Sequence, residues 1–291
     1  MTIHCFGSIN IDHVHQVSHF PEPGETLADC GYAAGLGGKG ANQALAAAAA
    51  GASVSHIGAV GRDGLWARDH LAGAGIDVSR VTEVDEATGH AVIYVSPEGE
   101  NQIVIHGGAN RSLTVDQIAG ALTAAAPGDW WLCQNETNLV AKAAEMARGA
   151  GLKIAYAAAP FEAGSARKML ALADLIAVNQ GEADALAAEI GCEVDALPVP
   201  ALLVTNGNAG ATLIEGSKRL HQPAFPVTPV DTTGAGDTFL GLFLAVMDVG
   251  RGAEEALRFA TAGAALQVTR PGAAAAIPRR DEIDMFLRDA G

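Results

Sequence analysis

The chain has 291 residues, 49% of them hydrophobic, enough for one large α/β domain or two of the common ~150-residue size. Eighteen Lys and Arg against 33 Asp and Glu give a formal net charge of −15, which argues against nucleic-acid backbone and anionic membrane as partners, since both are bound through basic side chains. The longest apolar run, 44–50, falls far short of the ~20 residues of a membrane span, the first residues lack a leader pattern, and four scattered cysteines form no CxxC pair, so a reduced, cytoplasmic protein is expected.

Residues 3–10 form a short apolar run closing on Gly and polar residues; they read as a buried strand whose C-terminal end presents Asn10 and Asp12. From 13 to 35, Pro21, Pro23 and Gly24 break the pattern before alternation resumes around 26–32, so short, partly exposed strands are expected. Residues 42–50 are nearly all helix formers ended by Gly51, 54–60 is a second strand, and 64–74 is a helix stopped by Gly75. A hairpin-like stretch pairs 91–96 with 102–105 across the turn-rich 97–101. Then come helix 115–126, strand 129–133, helix 138–150, strand 153–158, helix 164–173, strand 175–178, helix 182–190 and strands 201–205 and 212–215, before helices 236–249 and 253–268. Such alternation implies a layered α/β protein with a mostly parallel sheet. The stretches 13–35 and 91–107 fit the rhythm poorly and read as a small β appendage over the strand edges where open α/β sheets bind ligands.

Two glycine-rich segments carry chemistry. In Pro229 to Phe239, a Gly234-Ala235-Gly236 turn runs into an apolar helix whose first amides lack intrahelical partners, which makes an anion hole. Asp237, in the first turn, stands where it could take a proton from a hydroxyl attacking a phosphate. No Lys follows these glycines, so this is not a Walker A loop. In Gly35 to Ala44 a second glycine cluster opens a helix, and Lys39 and Asn42 stand where a polyhydroxy ligand could be gripped. A dinucleotide loop has the same glycine spacing but must follow the first strand directly, and here that strand ends some 25 residues earlier.

With Gly7-Ser8-Ile9-Asn10-Ile11-Asp12 and Val268-Thr269-Arg270-Pro271-Gly272-Ala273, the segments GGKGANQA at 37–44 and DTTGAGDTF at 231–239 resemble the signatures of the ribokinase-like (PfkB) carbohydrate kinase family over nearly the whole chain. The resemblance implies a three-layer α/β/α fold with a mostly parallel sheet: a kinase body of 1–12, 36–90 and 108–291, and a β lid of 13–35 and 91–107 that would also pair two subunits in a homodimer. It implies an ATP-dependent sugar kinase, with ribose phosphorylated at O5 as the expected reaction. Asp237 then matches the catalytic base, and Gly234, Ala235 and Gly236 the anion hole. Asn10, Asp12, Gly38, Lys39, Asn42 and Glu136 match sugar-gripping positions. Asn179, Thr205, Gly207, Gly210, Gly236 and Thr261 match positions near the nucleotide, and Glu182 one that organises Mg²⁺. Asp231, Thr233, Gln267, Arg270, Gly272 and Ala276 match the ligands of an activating K⁺, mostly through carbonyls; Ala276 departs from the Ser common there.

Other readings stay open at this level. A nucleoside kinase or another pentose or hexose kinase of the same family would share these motifs; a nucleoside pocket would want Phe20, Tyr32 or Tyr94 to stack on a base. A non-catalytic sugar or nucleotide sensor would not need Asp237 and Glu182 together. His13, His15 and His19 lack the H-E-x-x-H spacing of a metal site and read as polar lid positions, while Trp130-Trp131 reads as core.

Overall fold

The computed structural model describes residues 1–290. Strand β1 (Thr2–Phe6) gives way at Gly7-Ser8 to β2 (Asn10–Gln16) and β3 (Gly31–Gly37). Helix α1 (Lys39–Ala49), β4 (Ser53–Val60), α2 (Leu65–Gly73) and β5 (Asp77–Glu83) follow, then the hairpin β6 (Gly89–Val95) and β7 (Asn101–His106). The alternation continues through α3 (Val115–Leu122), β8 (Trp130–Gln134), α4 (Val140–Gly149), β9 (Lys153–Ala157), α5 (Ala163–Met169), β10 (Leu175–Asn179), α6 (Gln180–Ile190) and β11 (Ala201–Thr205). Strands β12 (Ala211–Glu215) and β13 (Lys218–Gln222) and helices α7 (Ala235–Asp248), α8 (Ala253–Gln267) and α9 (Arg280–Asp289) complete it.

Nine strands form one sheet in the order β13-β12-β11-β10-β9-β8-β1-β4-β5, parallel except for β12 and β13. Side chains alternate across each strand: Ile3 and Cys5 join a core with α1, α2, α7 and α8, whereas Phe6 joins a second core with α3 to α6. Both faces of the sheet are therefore covered, as parallel strands require, and the arrangement is the three-layer fold expected. A separate four-stranded sheet, β3-β2-β6-β7, is built from the two stretches that break the helix–strand rhythm.

From β1 the chain passes to β4 and β5 on one side and later to β8 and its successors on the other. That reversal opens a crevice at the C-terminal end of β1, the place where open α/β sheets take ligands. Helices α1 and α7 pack beside it so closely that a Cβ on Gly241 would come within 2.4 Å of the Gln43 carbonyl oxygen. The two glycine-opened helices thus begin at the same end of the sheet. No helix of the described residues is long and apolar enough to cross a membrane.

Three elements escape the sequence pattern. Strands β5 and β13 lie at the sheet edges and are too polar to show as buried runs, and α9 follows a proline-bounded segment at the end of the chain. Helix α1 starts at Lys39, not 42, because Gly38 takes a left-handed φ of 92° and caps it. Helices α3 and α5 end earlier than expected, at Leu122 and Met169.

Trp131 is fully buried and stacked on Phe6 at 5.6 Å, with its indole N–H unpartnered. Trp131→Ala is expected to lower the urea unfolding free energy by about 3–5 kcal/mol. Trp131→Phe keeps a ring on Phe6 and removes the unpaired donor, so it should cost less than half as much; equal losses would show that the stack does not matter.

Candidate active site

The glycines of 37–44 are explained by a close approach of backbones. A Cβ on Gly40 would meet Ser8 N at 2.5 Å and Gly7 Cα at 2.6 Å, so only glycine lets the first turn of α1 rest on the chain leaving β1. Ser8 Oγ accepts the Gly40 N–H at 3.2 Å and donates to Glu136 Oε2 at 2.5 Å, and the Lys39 N–H reaches the same carboxylate oxygen at 3.0 Å. Glu136 lies just beyond β8, beside β1 in the sheet, so this contact sets its position.

Asn10 opens β2 with its Oδ1 accepting Asn110 Nδ2 at 2.7 Å, and Asn110 also grips Ile9 through both its N–H and its carbonyl. Asp12 folds over Gly37, where a Cβ would come within 2.0 Å of the carboxylate. Burial, then the nearby Glu136 charge, raises Asp12 to about 6 against the opposing pull of the Lys39 ammonium.

Asp237 is held from α1. Gln43 Nε2 donates to Asp237 Oδ1 at 2.7 Å and Asn42 Nδ2 to Oδ2 at 3.5 Å, while Gln134 of β8 steadies Gln43 by donating to its Oε1 at 2.7 Å. Burial pushes Asp237 up to about 6; Lys39 and the Gln43 bond pull it back, Glu136 adds to the rise, and the Asn42 bond opposes it. Lys39 and Glu136 thus act on the charges of both Asp12 and Asp237, and Asn42 touches Asp237.

The turn ahead of α7 depends on Gly234, at φ 74° and against Ala273. Thr238 N–H is the first in the helix to bond back, to Gly234 O at 2.8 Å, and Ala235 N–H closes onto Thr232 O at 3.3 Å. Of the three amides expected in the anion hole, Ala235 is thus engaged within the turn. Those of Gly234 and Gly236, joined by that of Asp237, have no partner among the described residues.

Beside this turn lies a cavity of about 580 Å³. Gly236, Thr205, Gly207, Gly210 and Thr261, all expected near a nucleotide, line it, and Phe225, Val227 and Val268 supply apolar wall. Gly210 must be glycine, since a Cβ would lie 2.1 Å from the Gln222 carbonyl oxygen. Asn179 and Glu182 are outside the lining. They form a reciprocal capping box at the start of α6: Asn179 Oδ1 accepts the Glu182 N–H at 2.9 Å, and Glu182 Oε2 accepts the Asn179 N–H at 2.8 Å. Asn179 pairs with Thr205, which places the box one strand from the cavity wall. Among the described residues no group of three or more His, Cys, Asp or Glu could hold a metal ion.

The residues expected around K⁺ lie together beneath the 231–236 turn. Asp231 accepts the Thr233 and Gly272 N–H groups at 2.9 and 2.8 Å. Arg270 is turned to Glu282 at 2.6 Å, and Ala276 is buried without a polar side-chain atom. Gln267 does not serve through its carbonyl alone: its Nε2 donates into the carbonyls of Ala273, Thr233 and Gly272, at 2.8, 3.3 and 3.5 Å. The Gln267 amide thus stands against two of the carbonyls expected around K⁺, those of Thr233 and Gly272.

Four site residues were not singled out from sequence: Ser8, Gln43, Asn110 and Gln134. Gln43 carried a usable signal, as a second amide beside Asn42 in an otherwise alanine-rich helix. Asn110 and Gln134 carried none, because their partners lie 100 and 91 residues away in the chain.

Residues 2–280 match the pfkB family carbohydrate kinases, and the chain belongs to that family, a class of phosphotransferases acting on an alcohol group. A ribokinase of Haemophilus influenzae is 38% identical over 99% of each chain. Among solved structures, a ribokinase of Thermotoga maritima superposes with a TM-score of 0.89 at 32% identity, covering 99% of both chains. A ribokinase of Arabidopsis thaliana, complexed with ribose and ATP, gives 0.86 at 29% identity over 99% of this chain and 98% of that one.

Because the Gln43 bond lowers the Asp237 pKa, Gln43→Leu should raise it and shift the acid limb of the kcat/KM profile to higher pH. Turnover would fall more at pH 6 than at pH 8, and an unmoved limb would show that Gln43 does not tune Asp237.

Proposed function

We propose that this chain is an ATP-dependent ribokinase that transfers the γ-phosphoryl group of ATP to O5 of D-ribose, giving ribose 5-phosphate and ADP. The observation that carries the reading is Asp237, a carboxylate at about 6 in the first turn of α7, set between free amides with an adjoining cavity on one side and a buried polar cluster on the other. A base near that value is ionised at neutral pH yet basic enough to take a hydroxyl proton as the transfer proceeds.

In this reading Asn10, Asp12, Gly38, Lys39, Asn42 and Glu136 hold the sugar. Asn42 Oδ1 is buried with no partner; such an orphan costs about 1–3 kcal/mol, and a sugar hydroxyl would satisfy it. Asp237 accepts the O5 proton as O5 bonds to phosphorus and the bond to the ADP oxygen breaks. The Gly234, Gly236 and Asp237 amides meet the charge on the transferring oxygens, where positioning and electrostatics make up most of phosphoryl-transfer catalysis. The adenine lies between Phe225 and Val268, with Thr261 at the cavity wall and Thr205, Gly207 and Gly210 towards the phosphates. Bound with ATP, Mg²⁺ would neutralise charge on the phosphates, with Glu182, whose Oε1 is free of the capping box, helping to organise it and Asn179 near the triphosphate. Of the two cations implied by sequence, only Mg²⁺ is assigned.

We read 13–35 and 91–107 as a lid over the body formed by 1–12, 36–90 and 108–291, and as the seat of a homodimer contact. Ile103, Val104 and Ile105 form a consecutive exposed apolar run on edge strand β7, a surface that a second copy would cover. Strand alternation removes two of the three aromatics a nucleoside pocket would want. Tyr32 and Tyr94 pair with His15, on the face of the sheet opposite Asp12, so neither can stack on a base held by Asp12.

Coupled ADP release should be fastest with ribose when compared with 2-deoxyribose, fructose and nucleosides; ribose as the poorest acceptor would remove the substrate assignment, and sugar binding without ADP release would favour a sensor. Asp237→Asn should keep ribose binding by calorimetry while losing about 10²–10⁴-fold in turnover; near-normal turnover would remove Asp237 as the base. Since the base must be ionised, the wild-type rate should fall as pH drops through about 6.

A further inference from the structure

Gln267 is the last residue of α8 and fully buried. Its side chain enters a place where main-chain carbonyls converge beneath the 231–236 turn. Ala273 O lies 2.8 Å from Nε2, Thr233 O 3.3 Å and Gly272 O 3.5 Å. Three carbonyl oxygens aimed at one point repel one another unless something positive stands between them, and buried unpaired acceptors are costly. The opposite amide orientation would add a fourth oxygen to the other three, so the network assigns Nε2 inward. The consequence is visible at the other end of the amide, where Oε1 is buried with no partner.

The same spot clamps two segments. Asp231 ties Thr233 to Gly272 through its two carboxylate oxygens, Val268 O accepts the N–H groups of Val230 and Asp231 at 2.7 and 3.1 Å, and Gly234 rests on Ala273. The turn whose amides face the cavity is therefore held down by contacts that all pass within one residue of the Gln267 amide. Asp231 is already satisfied by two backbone N–H groups, so the cluster needs donors, not a full positive charge.

We propose that Gln267 is a tethered substitute for a monovalent cation: its amide N–H groups bind the carbonyls of Thr233, Gly272 and Ala273 and hold the 231–236 turn in its working shape, so that the protein needs no K⁺. Gln267 is a positioning residue, acting on the reaction only through the turn. The effect on turnover rests on the kinase reading above; the occupation of the carbonyl cluster does not.

The test compares wild type, Gln267→Ala and Gln267→Met in potassium chloride and in tetramethylammonium chloride at matched ionic strength. Melting temperature and ADP release are both measured. Wild type should melt at the same temperature and turn over within about twofold in the two salts. Gln267→Ala opens the cluster to an ion: it should lose about tenfold or more in tetramethylammonium and recover in potassium, with a melting temperature that rises only in potassium. Gln267→Met fills the space without a donor and should stay impaired in both. A wild type whose melting temperature or turnover depends on K⁺ overturns the proposal, as does a Gln267→Ala variant as active as wild type without K⁺. If Gln267→Ala does not fold, the wild-type salt comparison and Gln267→Met still decide. If no sugar gives ADP, the kinase reading fails, and the melting temperatures judge the cation substitute alone.

Discussion

The site depends on one close contact, the packing of α7 against α1. Gly241 in α7 leaves no room for a side chain against the Gln43 carbonyl. At that separation the first turns of both helices come level, and Gln43 and Asn42 reach the Asp237 carboxylate. A wider spacing would separate the Asp237 carboxylate from the amides that orient it and from the polar residues beside β1. Core packing and catalytic geometry are here the same constraint, because close-packed interiors transmit small displacements instead of absorbing them.

Around that contact, charge is managed locally. Two carboxylates, Asp12 and Asp237, are lifted to about 6 by burial and share the influence of Lys39 and Glu136. The overall charge of −15 is no obstacle to a phosphorylated ligand. Phosphate would meet main-chain amides at the start of α7, which a count of charged side chains does not register. The carbonyl cluster under the same turn reverses the arrangement, with oxygens gathered around the amide of Gln267.

Much of the fold was legible along the chain. The central strands of the large sheet are buried on both faces and show as short apolar runs between glycines, which is why β1, β4 and β8 to β11 stand out. Strands β5 and β13 did not, since an edge strand half in solvent keeps Asp, Ser, Arg, Lys and His in place of Val and Ile. The site was legible where chemistry is local: Asp237 and the glycine turn, or Lys39 and Asn42 at the start of a helix. Ser8 and Asn110 were not, because their importance lies in partners 100 or more residues distant, Glu136 and Asn10.

By itself the sequence determined the layered α/β alternation, the two glycine-opened helices and the residue types able to grip a sugar and take a proton, because backbone propensity and side-chain chemistry are written residue by residue. Only the tertiary structure decided which groups meet. It put Gln43 and Gln134 behind Asp237, joined Asn179 and Glu182 in a helix cap, engaged Ala235 within its turn and set the Gln267 amide against three main-chain carbonyls. Those outcomes depend on distances between segments far apart in the chain, and packing alone sets them.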